Sequence, residues 1–392
     1  MKTYYLLLTM CCLGLFSCQN MKEEKAEVPI LSVDYNVRPD PAKVEEMQRN
    51  MQIRFVPLET TDESLFNGQG AYLLTYGNRI FVKDLDQDCI IVFDDKGNYL
   101  NRICRKGEGP EEYVAMLGVV VNNNLVYVLD MRGKVQVYDF EGNYVKGIPL
   151  KYGGRQLYVT ENEEIYIGRS FEKETQWLVY DNQGNLLKEL FPSHEKLRRF
   201  QVPKCSFYTI GAYDGGIYLS NYLDYNIYLL KDTVSVLATL DFGNLNIPAD
   251  FFEGTTEYIE ERFWDLRGSV KEGIKAVLSL ECLLVTDDWL IFIPGELAVR
   301  GVYYNRKTDF YMTTKYFTEP YQTFLGGYDT PDGYSATTGE FYRLVKVDKL
   351  KEIIQKMAQD KDYLEKYPFF KGIDPEKINE EEDNEWVMFF KL

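Results

Sequence analysis

The chain has 392 residues and a formal charge of −17, from 61 acidic and 44 basic residues. This balance excludes a nucleic-acid-binding protein, which needs a basic surface to neutralise phosphates, and it opposes attraction to an anionic membrane surface. The length suits one large domain or two smaller ones. The 31 tyrosines and 23 phenylalanines, together with many Asn, Gly and Asp residues, favour short strands joined by tight turns.

Residues 1–17 are predicted to be a signal peptide. Lys2 supplies a positive start, an almost uncharged apolar run follows at 4–16, and Ser17 precedes Cys18. The apolar run is too short to span a bilayer. A small residue before a cysteine resembles a bacterial lipoprotein box, which implies cleavage before Cys18 and lipidation of its thiol. An ordinary signal peptide with a chance cysteine is the alternative.

Residues 18–50 are predicted to form a lipidated tether and an N-terminal extension. Lys22, Glu23 and Glu24 closely follow Cys18 and resemble the export signal of surface lipoproteins in Bacteroidetes-type bacteria. The alternative is a solvated spacer, since charged stretches are commonly disordered. The resemblance implies an outer-membrane protein at the cell surface that contacts the membrane only through its lipid, with the periplasmic face as the alternative location.

A repeated pattern occupies the middle of the chain. An aromatic residue, Asp, two variable residues, Gly and Asn recur in this order, with the aspartates at positions 94, 139 and 181. Gly-Asn suits a tight hairpin because glycine adopts positive φ, and Asp can accept hydrogen bonds within the turn. The four strands of the first unit are expected at 71–76, 79–84, 89–94 and 99–104. Units of about 40–50 residues with four strands are typical of β-propeller blades.

The pattern continues less regularly towards the C-terminus. A fourth unit is expected at 215–230 and a fifth at 288–316. A sixth unit must combine 333–338 with the two terminal segments, 52–58 and 386–391. Pairing of the terminal segments would close the ring and leave no sheet edge bare.

Two helical insertions are predicted, at about 249–280 and 341–368, from apolar residues spaced along one helix face. Their apolar faces are expected to pack against the side of the sheets. The predicted fold class is therefore all-β: a six-bladed β-propeller of four-stranded antiparallel blades over residues 51–392, in which N- and C-terminal strands close the last blade. Five or seven blades are the alternatives.

This organisation resembles a known family. The repeat, the connection at 105–113 and the closing segment 383–391 are similar to the six-bladed propeller lipoproteins of gut Bacteroidetes, relatives of the NHL-type propellers, over roughly residues 50–392. The family's Gly-x-Gly-Pro-Gly-Glu-Tyr connection departs here, with Glu111 in place of a glycine. The resemblance implies an interaction scaffold more than a defined enzyme.

Four cysteines would remain besides Cys18 after removal of the signal peptide: Cys89, Cys104, Cys205 and Cys282. An even number in an oxidising compartment admits disulfides. A two-residue hairpin turn would place Cys89 and Cys104 at a hydrogen-bonded pair, where the geometry suits a disulfide poorly. Two buried free thiols are therefore predicted.

No catalytic or cofactor-binding residue stands out. The segment from Gly107 to Pro110 lacks the Lys-Ser/Thr of a phosphate-binding loop and is predicted to be a turn between blades. Asp84, Asp86 and Asp88 alternate like the start of a calcium loop but lack its glycine and its final glutamate. They are expected to be solvated residues of a strand connection. A single calcium on the propeller axis, with no assigned ligands, is the alternative.

The single histidine, His194, lies near a proline and is expected at the surface, because one histidine cannot build a His-rich metal site. A group of tyrosines could form a sugar platform but is expected to fill the space between blades: Tyr218, Tyr222, Tyr225 and Tyr228.

The predicted function is a binding module for a protein, peptide or glycan, without a cofactor. The alternatives are a structural subunit of an outer-membrane assembly and an NHL-like or lactonase-like hydrolase or lyase with an axial metal or carboxylate site.

Overall fold

The computed structural model describes residues 28–169, 173–199, 210–268, 275–295, 300–326 and 330–392. In these residues the chain is mostly β, and its strands form six sheets, named here I to VI. The first two strands, β1 (Ile30–Ser32) and β2 (Gln52–Pro57), join sheets IV and VI. No helix in the described ranges is long and apolar enough to cross a membrane.

The remaining strands follow in chain order. Sheet I contains β3 (Ala71–Tyr76), β4 (Arg79–Asp84), β5 (Cys89–Asp94) and β6 (Tyr99–Ile103). Sheet II contains β7 (Met116–Asn122), β8 (Leu125–Asp130), β9 (Lys134–Asp139) and β10 (Tyr144–Pro149). Sheet III contains β11 (Gln156–Val159), β12 (Ile165–Gly168), β13 (Thr175–Tyr180) and β14 (Leu186–Pro192).

Sheet IV contains β15 (Ile210–Tyr213), β16 (Gly216–Ser220), β17 (Asn226–Leu230) and β18 (Val234–Asp241), with β1 added in parallel to β18. Sheet V contains β19 (Leu280–Val285), β20 (Trp289–Pro294), β21 (Val302–Asn305) and β22 (Tyr311–Thr313). Sheet VI contains β23 (Gly333–Ser335), β24 (Glu340–Val345) and β25 (Trp386–Lys391), with β2 paired to β25. Within the described ranges, every strand pairing except that of β1 is antiparallel between neighbours, and no sheet closes on itself.

Six hydrophobic clusters fill the spaces between the sheets of the described chain, and each cluster is shared by two sheets. The clusters join I to II, II to III, III to IV, IV to V, V to VI and VI to I. The middle strands, such as β4 and β5, are buried along almost their whole length because a neighbouring sheet packs on each face. The six clusters therefore connect the sheets in a cyclic order.

The predicted pairing of the two terminal strands is confirmed. In sheet VI, β2 runs antiparallel to β25, with Val56 opposite Val387 and Pro57 opposite Trp386. The expected insertion at 341–368 needs correction, because residues 341–345 belong to β24. Phe341 of β24 stacks on Phe390 of β25 at 5.5 Å, so cross-strand packing sets the local structure there.

The helices are α1 (Pro41–Asn50), α2 (Thr256–Arg267), α3 (Tyr321–Leu325), α4 (Val347–Met357) and α5 (Tyr363–Lys366). Thr255 caps α2 by accepting a hydrogen bond from the Tyr258 amide at 3.3 Å. As predicted, the apolar faces of α2 and α4 are buried against the sheets: Ile259, Phe263, Leu350, Ile353 and Ile354.

Residues 30–50, the second part of the predicted tether and N-terminal extension, pack against the sheets. β1 lies along β18, and Val33 joins the cluster between sheets IV and V. Asp40 caps α1 by accepting from the Ala42 amide at 2.9 Å, and α1 buries Val44 and Met47 between sheets V and VI. Apolar side chains therefore fix this segment on three sheets from Ile30 onwards.

The prediction of free thiols at Cys89 and Cys104 is wrong, because the two residues form a disulfide. A β-bulge at Leu100 shifts the pairing between Val92 and Phe93. This shift moves the cysteines to a closely spaced, non-hydrogen-bonded position, with their Cα atoms 4.6 Å apart. Cys205 lies outside the described residues.

The repeated turns are built as predicted. Asp94 accepts hydrogen bonds from the amides of Lys96 and Asn98, each at 2.9 Å, and Gly97 has a φ of +88°. A Cβ atom at Gly97 would also collide with the carbonyl oxygen of Pro57 in sheet VI. Gly97 thus meets two needs, positive φ and close approach to the preceding sheet, and the same holds at Gly184, whereas Gly142 meets only the first.

Candidate functional site

The connections between consecutive sheets lie at one end of each sheet, called here the leading end because the first strand begins there. In sheet I, Ala71 at the start of β3 pairs with Asp84, and Asp84 pairs with Cys89. The turns between second and third strands emerge at the same end. Loops from neighbouring sheets therefore meet at the leading ends, where irregular backbone is free to carry binding residues.

Asp84 at this end is not solvated, which corrects the expectation for the calcium-like series. Its side chain is fully buried and accepts hydrogen bonds from the amides of Asp86 at 2.8 Å and Gln87 at 3.2 Å. Its other oxygen accepts from the Asn67 amide at 3.4 Å. Asp84 therefore organises the turn and ties it to the connection from sheet VI. Asp130 repeats this arrangement in sheet II by accepting from the Val114 amide at 3.0 Å.

Asp86 and Asp88 have separate partners. Asp86 accepts from the side-chain amide of Asn67 at 2.6 Å, and Asp88 pairs with Lys106 at 2.6 Å. The three aspartates do not converge on one point. In the portion of the chain that the structure describes, no group of three or more His, Cys, Asp or Glu side chains is placed to hold a metal ion.

The Gly107–Pro110 segment is a turn between sheets I and II, as predicted. The Gly107 amide donates to the carbonyl of Tyr113 at 2.9 Å, and the Gly109 amide donates to the Glu112 carboxylate at 2.8 Å. Tyr113 is buried and donates its hydroxyl to the carbonyl of Asp88 at 2.7 Å. The Gly107 and Gly109 amides therefore donate within the turn and are not free to bind a phosphate.

His194 is exposed, as expected, and stacks on Phe252 at 4.2 Å. Partial burial lowers the pKa of its imidazole.

Tyr218 and Tyr222 are buried between sheets, and Tyr218 donates its hydroxyl to the carbonyl of Leu283 at 2.8 Å. Burial raises the pKa of Tyr218. These two tyrosines fill space between sheets, and a sugar platform built from them is not formed.

The predicted lipidation residue, Cys18, lies outside the described residues. The same holds for the export-signal residues Lys22, Glu23 and Glu24.

A cavity of about 230 Å³ lies at the leading end where sheets VI and I meet, and it is called here the junction cavity. Its walls come from both sheets, from α3, from the start of α4 and from the residue before β25: Gly68, Ala71, Thr323, Phe324, Asp332, Arg343, Leu344, Val345, Lys346, Lys349 and Glu385. Packing of the first sheet against the last one therefore creates this site.

Both carboxylates of the junction cavity are bound to backbone amides. Asp332 accepts from the Leu344 amide at 2.7 Å. Glu385 accepts from the Val347 amide at 2.7 Å and so caps α4. Burial raises the pKa of Glu385, and its bond from Val347 acts in the opposite direction.

Three cations face these two carboxylates: Arg343, Lys346 and Lys349. Lys349 also pairs with Glu352 on the helix surface at 3.0 Å. Lys346 lines the cavity without an ion pair in the described part of the chain. Such a cavity suits a small ligand, or the end of a larger one, that carries a negative charge.

Sequence reasoning missed these residues because they come from five separate segments and share no local motif. One signal was present. Lys346 and Lys349 flank the start of α4, where the helix dipole favours acidic residues. Lys349 is accounted for by its pair with Glu352, which leaves Lys346 as the cation that helix stability does not explain.

The sequence profile of a family described as a domain of unknown function, DUF4934, matches residues 35–391. The curated proteins contain no match to the chain. Among solved structures, the chain is similar to a Bacteroides fragilis protein assigned as exported, with 17% identity and a TM-score of 0.65 over 93% of this chain and 99% of that chain. This similarity shows a shared fold.

Two further similarities are more distant and carry no argument about this chain. A DUF4221 family member from Bacteroides vulgatus has 9% identity and a TM-score of 0.40, over 67% of this chain and 85% of that chain. A catalytically inactive virginiamycin B lyase from Staphylococcus aureus has 10% identity and a TM-score of 0.40, over 75% and 81%.

Proposed function

The chain belongs to the DUF4934 family, and we propose that it is an exported binding module built as a six-bladed β-propeller. The cyclic order of the hydrophobic clusters supports this architecture, with each sheet as one blade. The first strands also contact one another between sheets, as in β3 with β7 and β23 with β3. One domain then extends over 51–392, and residues 30–50 pack against its side.

The proposed location is the outer face of the outer membrane, with Cys18 as the lipidated residue and Lys22, Glu23 and Glu24 as the export signal. The lipoprotein-box pattern supports the anchor, and the similarity to a protein assigned as exported supports a position outside the cytoplasm. Replacement of Cys18 by alanine should release the protein from membranes or leave it unprocessed. Normal cleavage with full membrane retention would contradict the anchor.

The export signal has its own test. A chain with Lys22, Glu23 and Glu24 replaced by alanine should stay in the membrane fraction but resist protease added to whole cells. If protease cleaves it as readily as the parent chain, these residues do not direct surface export.

The junction cavity is the observation that supports binding. Both carboxylates accept hydrogen bonds from backbone amides, and Lys346 has no ion pair among the residues that the structure describes, so we infer a ligand group with a negative charge. Galacturonate, glutamate and citrate are suitable probes because each is a small molecule that carries at least one carboxylate. Their affinities for the mature chain are measurable by isothermal titration calorimetry.

At least one probe should bind the parent chain, and the Lys346→Ala/Lys349→Ala variant should weaken that binding at least tenfold. Lys361→Ala is the matched control, because Lys361 is exposed on the next stretch of chain and does not line the cavity. No binding of any probe, or an equal affinity in the cavity variant, would overturn the proposed role of the cavity.

A further inference from the structure

We propose that the chain has a second binding surface, at the leading end of sheets II and III, which takes an acidic oligosaccharide through its carboxylate or sulfate groups. The surface is called here the Tyr152 cluster and consists of Lys151, Tyr152, Arg155 and Arg169. It lies two sheets away from the junction cavity and does not depend on the ligand bound there.

Two cations, Lys151 and Arg169, lie close to the Tyr152 ring. Tyr152 lies in the connection between β10 and β11, and Arg169 directly follows β12. The Lys151 ammonium lies 4.9 Å from the ring centre, and the Arg169 guanidinium lies 5.4 Å from it. Both distances are within the range of cation–π attraction. The ring therefore holds positive charge at an exposed position.

None of the three cations of the cluster forms an ion pair in the part of the chain that the structure describes. Arg169 contacts the Thr175 hydroxyl at 3.5 Å, and Thr175 in turn donates to Glu189 at 3.1 Å, so this carboxylate is reached only through a hydroxyl. In contrast, the neighbouring Arg132 pairs with Asp130 at 2.7 Å. Unpaired cations concentrated on a chain with 61 acidic residues point to an external anion.

Hydrogen bonds fix the backbone of the cluster in the ligand-free chain. The buried Tyr180 hydroxyl donates to the carbonyl of Tyr152 at 2.9 Å and accepts from its amide at 3.1 Å. The Arg155 amide donates to the carbonyl of Gly168 at 2.9 Å. Only side chains then need to be ordered on binding, which lowers the entropic cost of association.

The chemistry of the cluster favours an acidic sugar. Arginine and lysine bind carboxylate and sulfate oxygens through charge-assisted hydrogen bonds. Tyr152, which is 41% exposed, adds an amphipathic ring suited to the apolar and polar parts of a saccharide. A nucleic acid needs an extended basic track, and the charge of −17 opposes one.

The test measures binding of fluorescent oligogalacturonate, chondroitin sulfate oligosaccharide and maltooligosaccharide to the full mature chain at low and physiological salt. Both acidic sugars, or one of them, should bind, and the neutral sugar should not. The Lys151→Glu/Arg155→Glu variant should lose at least tenfold in affinity and keep its melting temperature, because both side chains are exposed and unpaired. The relative affinity of the two acidic sugars identifies the preferred oxyanion.

Two control variants distinguish binding at the cluster from a general effect of charge and from binding at the junction cavity. Lys361→Glu/Lys371→Glu makes the same charge change at two exposed lysines elsewhere and should keep full affinity. The Lys151→Glu/Arg155→Glu change should also cause the same loss of affinity on the Lys346→Ala/Lys349→Ala background, and a loss that disappears there would place the acidic sugar in the junction cavity instead. The proposal is overturned if neither acidic sugar binds, if the control reversal loses as much affinity, or if a single-stranded oligonucleotide or anionic vesicles bind as tightly through the same residues.

Discussion

Ile53 of β2 lies directly opposite Phe390 of β25, so the last sheet is assembled from the two ends of the domain. Deletion of 385–392 would remove β25 and, with it, four buried apolar residues: Val387, Met388, Phe389 and Phe390. Each such side chain contributes roughly 1.5–3 kcal/mol, and a domain is stable by only about 5–15 kcal/mol. The truncated chain should aggregate or be degraded.

Removal of Leu392 alone is the control for this deletion, since this residue follows β25, and that chain should fold normally. Limited proteolysis and thermal unfolding distinguish the two. A truncated chain as heat-resistant as the parent would show that closure by β25 is dispensable.

The Cys89–Cys104 disulfide should stabilise the native chain. It closes a loop with a sequence separation of 15 residues, for which the loss of chain entropy in the unfolded state corresponds to about 3 kcal/mol. Reductant should lower the urea midpoint of the parent chain and leave that of Cys89→Ala/Cys104→Ala unchanged. Cys282→Ala should respond to reductant like the parent, because Cys282 is a free cysteine. Equal midpoints for the parent chain with and without reductant would contradict a stabilising disulfide.

Gly97→Ala should destabilise the chain more than Gly77→Ala. Both glycines have positive φ, at +88° and +57°, so each variant has a backbone cost of about 1–2 kcal/mol. Only at Gly97 would the added methyl group meet the carbonyl of Pro57, whereas nothing lies within 4 Å of the same atom at Gly77. Overpacking should add about 1–3 kcal/mol, measurable by urea unfolding. Equal losses would mean that the turn does not pack closely on sheet VI.

Lys83 should make stability depend on pH above neutrality. Burial lowers the pKa of its ammonium from 10.5 to about 8, with Asp88 acting in the opposite direction. Below pH 8 the lysine is charged in both states, and the folded state bears the cost of burying the charge. Between pH 8 and 10.5 the unfolded chain binds more protons, so the free energy of unfolding rises with pH.

Lys83→Met should therefore raise the free energy of unfolding at pH 7, by an amount on the order of 3 kcal/mol, and by less at pH 9.5. Asp88 keeps its partner Lys106 in this variant. Lys361→Met is the control, since Lys361 is exposed, and it should change stability little at either pH. A gain that is the same at both pH values would exclude titration of Lys83 as its cause.

Local sequence determined the repeated unit of this protein. The strands of sheet I lie within one residue of their predicted positions, because alternating apolar residues and the Asp-x-x-Gly-Asn turn act over a few neighbours. The pairing of β2 with β25 was also predictable, because the expected closed ring would leave those two segments without other partners.

The tertiary structure decided the features that depend on contacts between distant segments or on small shifts in register. The bulge at Leu100 changed which strand positions face each other closely, and this change allowed the Cys89–Cys104 bond. β24 formed at 340–345, where Phe341 stacks on Phe390, within a segment expected to belong to a helical insertion. The junction cavity joins Ala71 to Glu385 from opposite ends of the chain. Sequence patterns carry information about neighbours along the chain, and these features arise from packing between residues far apart in it.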